Sequence, residues 1–592
     1  MKEKLENLIK EALKNLGINE EINFAVEHPE DFKNGDYSTN VAMVCAKQLK
    51  INPKELAEKI VAELQTPSAS GISPLSGGDD SLVNISKIEV AGAGFINFYL
   101  GREFFTESVK EILEKKENWG KNGILNGKKI MVEYTDPNPF KPFHIGHLMT
   151  NAIGESISRV VEFSGAKTIR ANYQGDIGPH VAKAIYGIMK DPLRLEHLPL
   201  TKGEAGRGAS ASEQAQYIGK CYSDANNLYE SDENIKKEID EINKKVYDRS
   251  DNKINEIYEW GRKITLDAFE EIYKLLGTKF DQYFFESEMA PIGEKVVKEN
   301  VDKVFEESDG AIIFHGEDYD KKLHTRVFIN SQQLPTYETK EIGLTVTKFE
   351  KENPDISIVI TAIEQAEYMK VVQKAISLIH PDFESRMKHV THGMMKFASG
   401  KMSSRKGNVV TGESLINDSM NIVFEKLKDR NMSDIEKRKI SESVGVSALK
   451  YSILKSSIGS DIIYDFEKSI SFDGDSGPYL QYTAVRANSI LEKAKEFDFN
   501  NKTEIPPNTT ELEKLLYQFP EIVVYSYENL QPHHVATYLT KLASEFNAFY
   551  GNTQILKNEN IYANYHLDLV KAFYQTMKNG LWLLGIEVPE RM

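Results

Sequence analysis

Two short segments carry the residue types needed to handle a nucleoside triphosphate. The first is His144-Ile145-Gly146-His147, set between a strand-like run and a helical one. Backbone N–H groups at a helix start, together with the helix dipole, favour phosphate. Two imidazoles add donors there, and Gly146 leaves room for an adenine ring to lie close. The second segment stands far along the chain, where Gly400-Lys401-Met402-Ser403-Ser404-Arg405-Lys406-Gly407-Asn408 combines cations, hydroxyls and flanking glycines. A basic loop of this kind closes over a triphosphate and offsets the charge that builds as pyrophosphate leaves. Either segment alone reads as a helix cap or a solvated turn. Together, in this order, they describe in-line attack on an α-phosphate.

The elements that must hold them follow from periodicity. Ile130 to Tyr134 is a short strand, and a proline-punctuated loop then delivers the histidines. From Leu148 the pattern turns helical, with Ile153, Ile157, Val160, Val161 and Phe163 on one side and Gly165 as the stop. Strands are expected at Thr168 to Tyr173, Ala311 to Phe314 and Ile356 to Ile360, with helices between, which argues for one parallel α/β sheet. A helical stretch rich in Asn, Lys, Glu and Tyr interrupts it between about residues 190 and 290. From roughly residue 412 onward strand signals vanish and amphipathic helices dominate, as in Val535, Tyr538, Leu539, Leu542, Phe546 and Phe549 after Pro532. Ahead of the sheet, residues up to about 115 read as a small α/β domain ending in Phe95 to Leu100, with Gly92 and Gly94 as a strand-end turn.

Bulk properties narrow the class. A chain of 592 residues exceeds what one core supports, so several domains are expected. With 40% hydrophobic and 27% charged residues it is globular, and wholesale disorder is excluded. A formal charge of -16 means that a nucleic-acid partner would have to meet a local basic patch. The two cysteines, Cys45 and Cys221, support neither a disulfide framework nor a zinc knuckle. The first residues place Leu5, Leu8, Ile9, Ala12, Leu13 and Leu16 at helical spacing among charges, unlike a signal peptide, and no run approaches the ~20 apolar residues of a membrane span. A cytoplasmic protein is expected. Asp473 to Gly477 begins like a calcium loop, but Pro478 follows and Ala484 stands where a bidentate Glu is required. His533 and His534 have no partner cluster, so no metal site is expected.

The paired segments resemble the class I aminoacyl-tRNA synthetases, and longer strings resemble one branch, the arginyl-tRNA synthetases. These are Glu133-Tyr134-Thr135-Asp136-Pro137-Asn138 ahead of Lys141-Pro142-Phe143-His144, and Tyr337-Glu338-Thr339-Lys340-Glu341. Gly35 to Asn40, Gly94 to Phe98, Gly477 to Tyr482, Gln531 to His534 and Leu583 to Ile586 extend the resemblance over nearly the whole chain. It implies a Rossmann-like parallel-sheet catalytic domain over 116–411 with the helical insertion, and a tRNA-binding α/β domain over 1–115. A helical connector would span 412–465, and an all-α anticodon-binding domain 466–592. It implies that His144, His147, Lys401 and Lys141 are catalytic. Around ATP it puts His144, Gly146, His147, Lys401, Met402, Ser403 and Ser404, with Mg²⁺ carried by the nucleotide. Around L-arginine it puts Glu133, Asn138, His144, Tyr337, Glu341 and Gln365. Such a site suits a guanidinium, which is always charged and seeks planar carboxylates and an aromatic face. The further implications are tRNA-Arg as partner, a monomer, and no zinc. Two positions depart from the usual pattern: Glu341 stands where the family more often has Asp, and Ser404 where many class I enzymes have a second lysine.

Overall fold

The computed structural model describes residues 1–19, 22–65, 85–191, 210–398, 410–499 and 504–592. The chain divides into two compact units. One comprises Met1–Trp119, Arg486–Pro520 and Lys541–Met577, the other Gly120–Val485, Glu521–Thr540 and Lys578–Met592.

In the first unit, strands β1 (Val26–Glu27), β2 (Tyr37–Thr39), β3 (Ile85–Ala91) and β4 (Phe95–Leu100) form an antiparallel sheet in the order β1-β2-β4-β3. Gly92 and Gly94, at φ +53° and +121°, make the β3–β4 turn. The helix Lys2–Asn15 buries Leu5, Ile9, Ala12 and Leu13, a stripe at the 3.6-residue period, into a core shared with Phe98 and Tyr517. Arg102 reaches Glu513 at 2.6 Å, tying the helix Arg102–Lys115 to the helix Glu511–Leu516.

The second unit is built on β5 (Lys129–Glu133), β6 (Lys167–Gln174) and β7 (Gln282–Phe285), then β11 (Ile356–Ala362) and β12 (Met387–His392). All five pair in parallel, in the order β12-β11-β5-β6-β7. Ile130, Met131 and Val132 are fully buried, so β5 reads as an apolar run rather than an alternation. From β5 the chain winds outward through β6 and β7, then restarts on the other side with β11. The C-terminal ends of β5 and β11 therefore flank the topological switch point, where doubly wound sheets bind ligands. Between β6 and β7 the helices Pro179–Lys190, Ala211–Ser231, Glu233–Asp248 and Asn252–Leu275 enclose their own core around Ile185, Ile218, Ile242 and Ile257. Ser210, Asp232 and Asp251 cap three of them with side-chain oxygens.

Two strand expectations are corrected. Ala311 to Phe314 is β9, but it lies outside the parallel sheet, in a three-stranded antiparallel sheet with β8 (Glu306–Ser308) and β10 (Arg326–Ile329). The cause is the two-residue link Asp309-Gly310 at φ +48° and +77°, a tight turn that permits only an antiparallel return. Strands also do not vanish after residue 412: β14 (Ile462–Tyr464) pairs in parallel with β13 (Met395–Phe397), each too short to show a period.

The end of the chain is stapled into this same unit. Arg159 and Ser156 bond the carbonyls of Trp582 and Leu583 at 2.9 and 2.8 Å. Lys450, fully buried on the helix Asp434–Leu454, donates to Leu276 O at 2.5 Å and Gly585 O at 2.6 Å. A Cβ at Gly585 would fall 2.8 Å from the Lys450 ammonium. Burial brings that amine down to about 7.

Candidate active site

His144 ends the loop after β5 as the extended N-cap of the helix Ile145–Phe163. Its ring accepts from the His147 backbone N–H and the His147 ring accepts from the His144 N–H, both at 3.3 Å. The rings stack with centroids 3.4 Å apart. Burial, then the Lys141 ammonium, brings His144 down to about 4, and burial holds His147 well below its ordinary value. Both imidazoles are thus neutral near pH 7. Because each Nδ1 accepts a backbone hydrogen bond, each Nε2 carries the proton, and the pair presents two fixed N–H donors. The space expected beside Gly146 faces the His144 ring, which a Cβ there would approach to 2.9 Å. Lys401, Met402, Ser403 and Ser404 lie outside the described residues, within 399–409. The chain after them runs against the histidine loop: Thr411 bridges His144, and Gly412 N donates to Phe143 O at 2.8 Å.

The loop itself is strained. Thr135, Asp136 and Phe140 sit at φ +80°, +45° and +68°, a left-handed region that non-glycine residues seldom occupy. Asp136 is pinned there by the Tyr173 N–H at 2.7 Å. The excursion carries Asn138 to Gly175, where a Cβ would meet Asn138 Oδ1 at 2.2 Å and Glu286 Oε1 at 3.1 Å. Gly175 is therefore glycine so that two polar groups from distant segments can converge on its backbone.

Beside this point stand the acids. Glu133 pairs with Lys348 at 2.5 Å, each side chain 2% exposed. Glu286 pairs with Lys340 at 2.7 Å, and Lys340 lies 5.0 Å over the ring of Tyr337, which is 54% exposed. Glu341 has neither hydrogen bond nor ion pair among the described residues. Burial, followed by the Glu133 charge, pushes it up to about 8 against the opposing effect of Lys348. The same causes raise Asp136 well above the carboxylate range. Asp176, fully buried, joins Arg262 at 2.8 Å to the Ser287 N–H at 2.9 Å, fixing the start of the helix Glu286–Glu299 against the insertion. That helix meets the helix Tyr337–Glu352 backbone to backbone: Cβ atoms at Gly293 and Gly343 would fall 1.9 Å from Thr339 O and 2.2 Å from Met289 O. Gln365 closes a single 3₁₀ turn after β11, exposed at the other side of the switch point. Lys141 lies 5.4 Å from the Tyr222 ring centroid, and burial lowers its amine.

Glu133, Asn138, Tyr337 and Glu341 are thus gathered at one end of the sheet beside the histidine pair. Asp136, Tyr173, Glu286, Lys340 and Lys348 stand among them; Asp136 and Lys340 occur in the strings that carry the family resemblance, but none of the five is expected in the site from sequence. Glu286 reads there as an ordinary acid at a helix start, and the two lysines as solvated helix charges.

A family model described as "tRNA synthetases class I (R), catalytic domain" matches residues 108–466, and those of the arginyl tRNA synthetase N-terminal domain and the DALR anticodon binding domain match 3–100 and 480–592. The chain belongs to the arginyl-tRNA synthetases. Membership in this class I family implies the use of ATP. The arginine–tRNA ligase of Clostridium beijerinckii is 30% identical over 601 residues, covering 100% of both chains. That of Thermococcus sibiricus is 30% identical over 654 residues, covering 100% of this chain and 98% of its own. The same fold occurs in the arginyl-tRNA synthetase of Thermus thermophilus, with a TM-score of 0.78 at 22% identity over the whole of both chains. Among the described residues, no helix is long and apolar enough to cross a membrane.

Proposed function

We propose that the chain is an arginine–tRNA ligase. The carboxylate of L-arginine attacks the α-phosphate of ATP, giving arginyl-adenylate and pyrophosphate. A ribose hydroxyl of the 3′-terminal adenosine of tRNA-Arg then attacks the activated carbonyl, and AMP leaves. The reading rests above all on one juxtaposition: the N–H donors of the histidine pair and the acids Glu133, Glu286 and Glu341 share the switch point of a single sheet.

The pocket divides the work. Glu341 and the Tyr337 ring receive the guanidinium, with Glu286 behind them. Asn138 and Glu133 fix the amino-acid end, Glu133 acting through its partner Lys348, and Gln365 borders the opening. His144 and His147 donate from Nε2 toward the phosphates, and Gly146 keeps the helix start open to the adenosine. Lys141 and Lys401 supply cationic charge, Lys401 together with Met402, Ser403 and Ser404 over the triphosphate. Mg²⁺ carried by ATP would help these cations offset the charge of the leaving pyrophosphate. No covalent intermediate with the protein is required, and orientation supplies most of the acceleration.

In this reading residues 1–115 touch the outer corner of the tRNA and 466–592 read the anticodon, with 116–411 catalytic and 412–465 connecting. The N-terminal and anticodon-binding family matches support that division. The enzyme works as a cytoplasmic monomer without zinc. ATP-dependent charging of tRNA with labelled arginine, run beside the nineteen other amino acids, tests the assignment. Arginine alone is expected to be transferred, and charging with another amino acid in its place overturns the reading.

A further inference from the structure

The acids behind the guanidinium pocket outnumber the cations that neutralise them. Glu133 at the end of β5, Asp136 in the strained loop and Glu341 on the helix Tyr337–Glu352 share one ammonium, Lys348, which Glu133 holds at 2.5 Å. Glu341 and Lys348 are seven residues apart, close to two turns, and so occupy one face of that helix. The neighbouring charges are already committed: Glu286 to Lys340 at 2.7 Å, and Glu338 to Arg326 at 3.1 Å. The other groups that act on Glu341 and its surroundings are the phenols Tyr173 from β6 and Tyr368 from the helix Ala366–Ile379, with the Lys141 ammonium and the Asp176 carboxylate, itself paired with Arg262, acting on Glu286. The Tyr173 hydroxyl is buried with no hydrogen-bond partner among the described residues, a polar group left unsatisfied beside Glu286 and Glu341. Carboxyl groups in such a place cannot all ionise, so the cluster retains a proton. The raised Asp136 and the Glu341 value of about 8 agree with this count.

Resting on the arginine site proposed above, we infer that arginine enters by displacing this proton, and that the exchange is how the site tells a guanidinium from the neutral ureido isostere, citrulline. The guanidinium replaces one positive charge with another. The carboxyl O–H bond breaks, its proton passes to bulk buffer, and the carboxylate accepts two guanidinium N–H groups. Citrulline brings no charge, so the proton stays and the carboxylic acid donates to the ureido oxygen. Discrimination consequently widens with pH. With a carboxyl titrating near 8, arginine affinity rises roughly 50-fold from pH 6 to pH 8, about tenfold per unit well below 8, while citrulline gains nothing.

Calorimetric titration of the full chain with each amino acid, in phosphate and in imidazole at pH 7.0 and in borate and in CHES at pH 9.5, counts the protons from the dependence of the observed enthalpy on buffer ionisation. Close to one proton should leave per arginine at pH 7.0 and almost none at 9.5. Citrulline, which shares the α-amino group and so subtracts its contribution, should release none at pH 7.0. In Glu341→Gln, arginine binding should lose both the proton release and the pH dependence, with citrulline binding as the check that the variant is folded. Arginine binding at pH 7.0 without proton release overturns this inference alone. Proton release that persists in Glu341→Gln overturns it for Glu341. A protein that binds no arginine overturns the ligase reading and this inference with it.

Discussion

A histidine forced neutral by its surroundings serves as a fixed donor, and this sets the pH behaviour of the site. Because His144 titrates only near 4, protonation of the histidine pair should leave turnover at saturating arginine and ATP level between pH 6 and 8. A kcat profile tracking a group near 6.5 would show that these rings are not held as described. His180, bonded through Nε2 to Gly175 O at 2.7 Å, is brought down to about 3 by burial. The unfolded chain takes up this proton below about 6.5 while the native chain does not. Its contribution is therefore complete above pH 6.5 and is lost as pH falls toward 3, at about 1.4 kcal/mol per unit. The urea midpoint should drop between pH 7 and 5.5, and His180→Gln should flatten part of that drop. Lys401→Ala should slow charging at least ~10-fold if the ammonium contributes even ~1.4 kcal/mol in the transition state; an unchanged rate would remove its role.

At the scale of elements, glycines decide how closely helices approach the pocket. A Cβ at Gly343 would fall 2.2 Å from Met289 O, so Gly343→Ala must separate the helices that carry Glu286 and Glu341. The expected result is a KM for arginine raised at least several-fold with the KM for ATP nearly unchanged, read from steady-state charging. Parallel strands and long helices were legible because their apolar periods run for several residues, as in β5 and Ile153 to Phe163. The placement of β9 was not, since an Asp-Gly turn fixes pairing without altering a strand's own pattern. Within the site, His144, Glu133 and Glu341 stood out through motif strings. Lys348 and Glu286 did not, and Lys340 appeared only as a member of a string, because what singles them out is burial: Glu286 meets Lys340 where two helices far apart in sequence cross, and Lys348 meets Glu133 at the end of β5.

At the scale of the molecule, the catalytic unit is discontinuous: its sheet spans residues 129–392, yet residues 578–592 belong to it. Lys450→Met would strand the Leu276 and Gly585 carbonyls, each worth roughly 1–3 kcal/mol when left unsatisfied. Chemical denaturation should register a loss of that order with the fold retained. The same staple bears on biosynthesis. While a ribosome is still translating the middle of the message, the five parallel strands are already made, but the bonds from Arg159, Ser156 and Lys450 to the carbonyls of Trp582, Leu583 and Gly585 cannot form until those residues clear the exit tunnel. The nascent enzyme must hold an incomplete active-site unit until residues 582–585 have emerged, so arrest shortly before residue 582 should leave a protease-sensitive product that synthesis through these residues and release abolish.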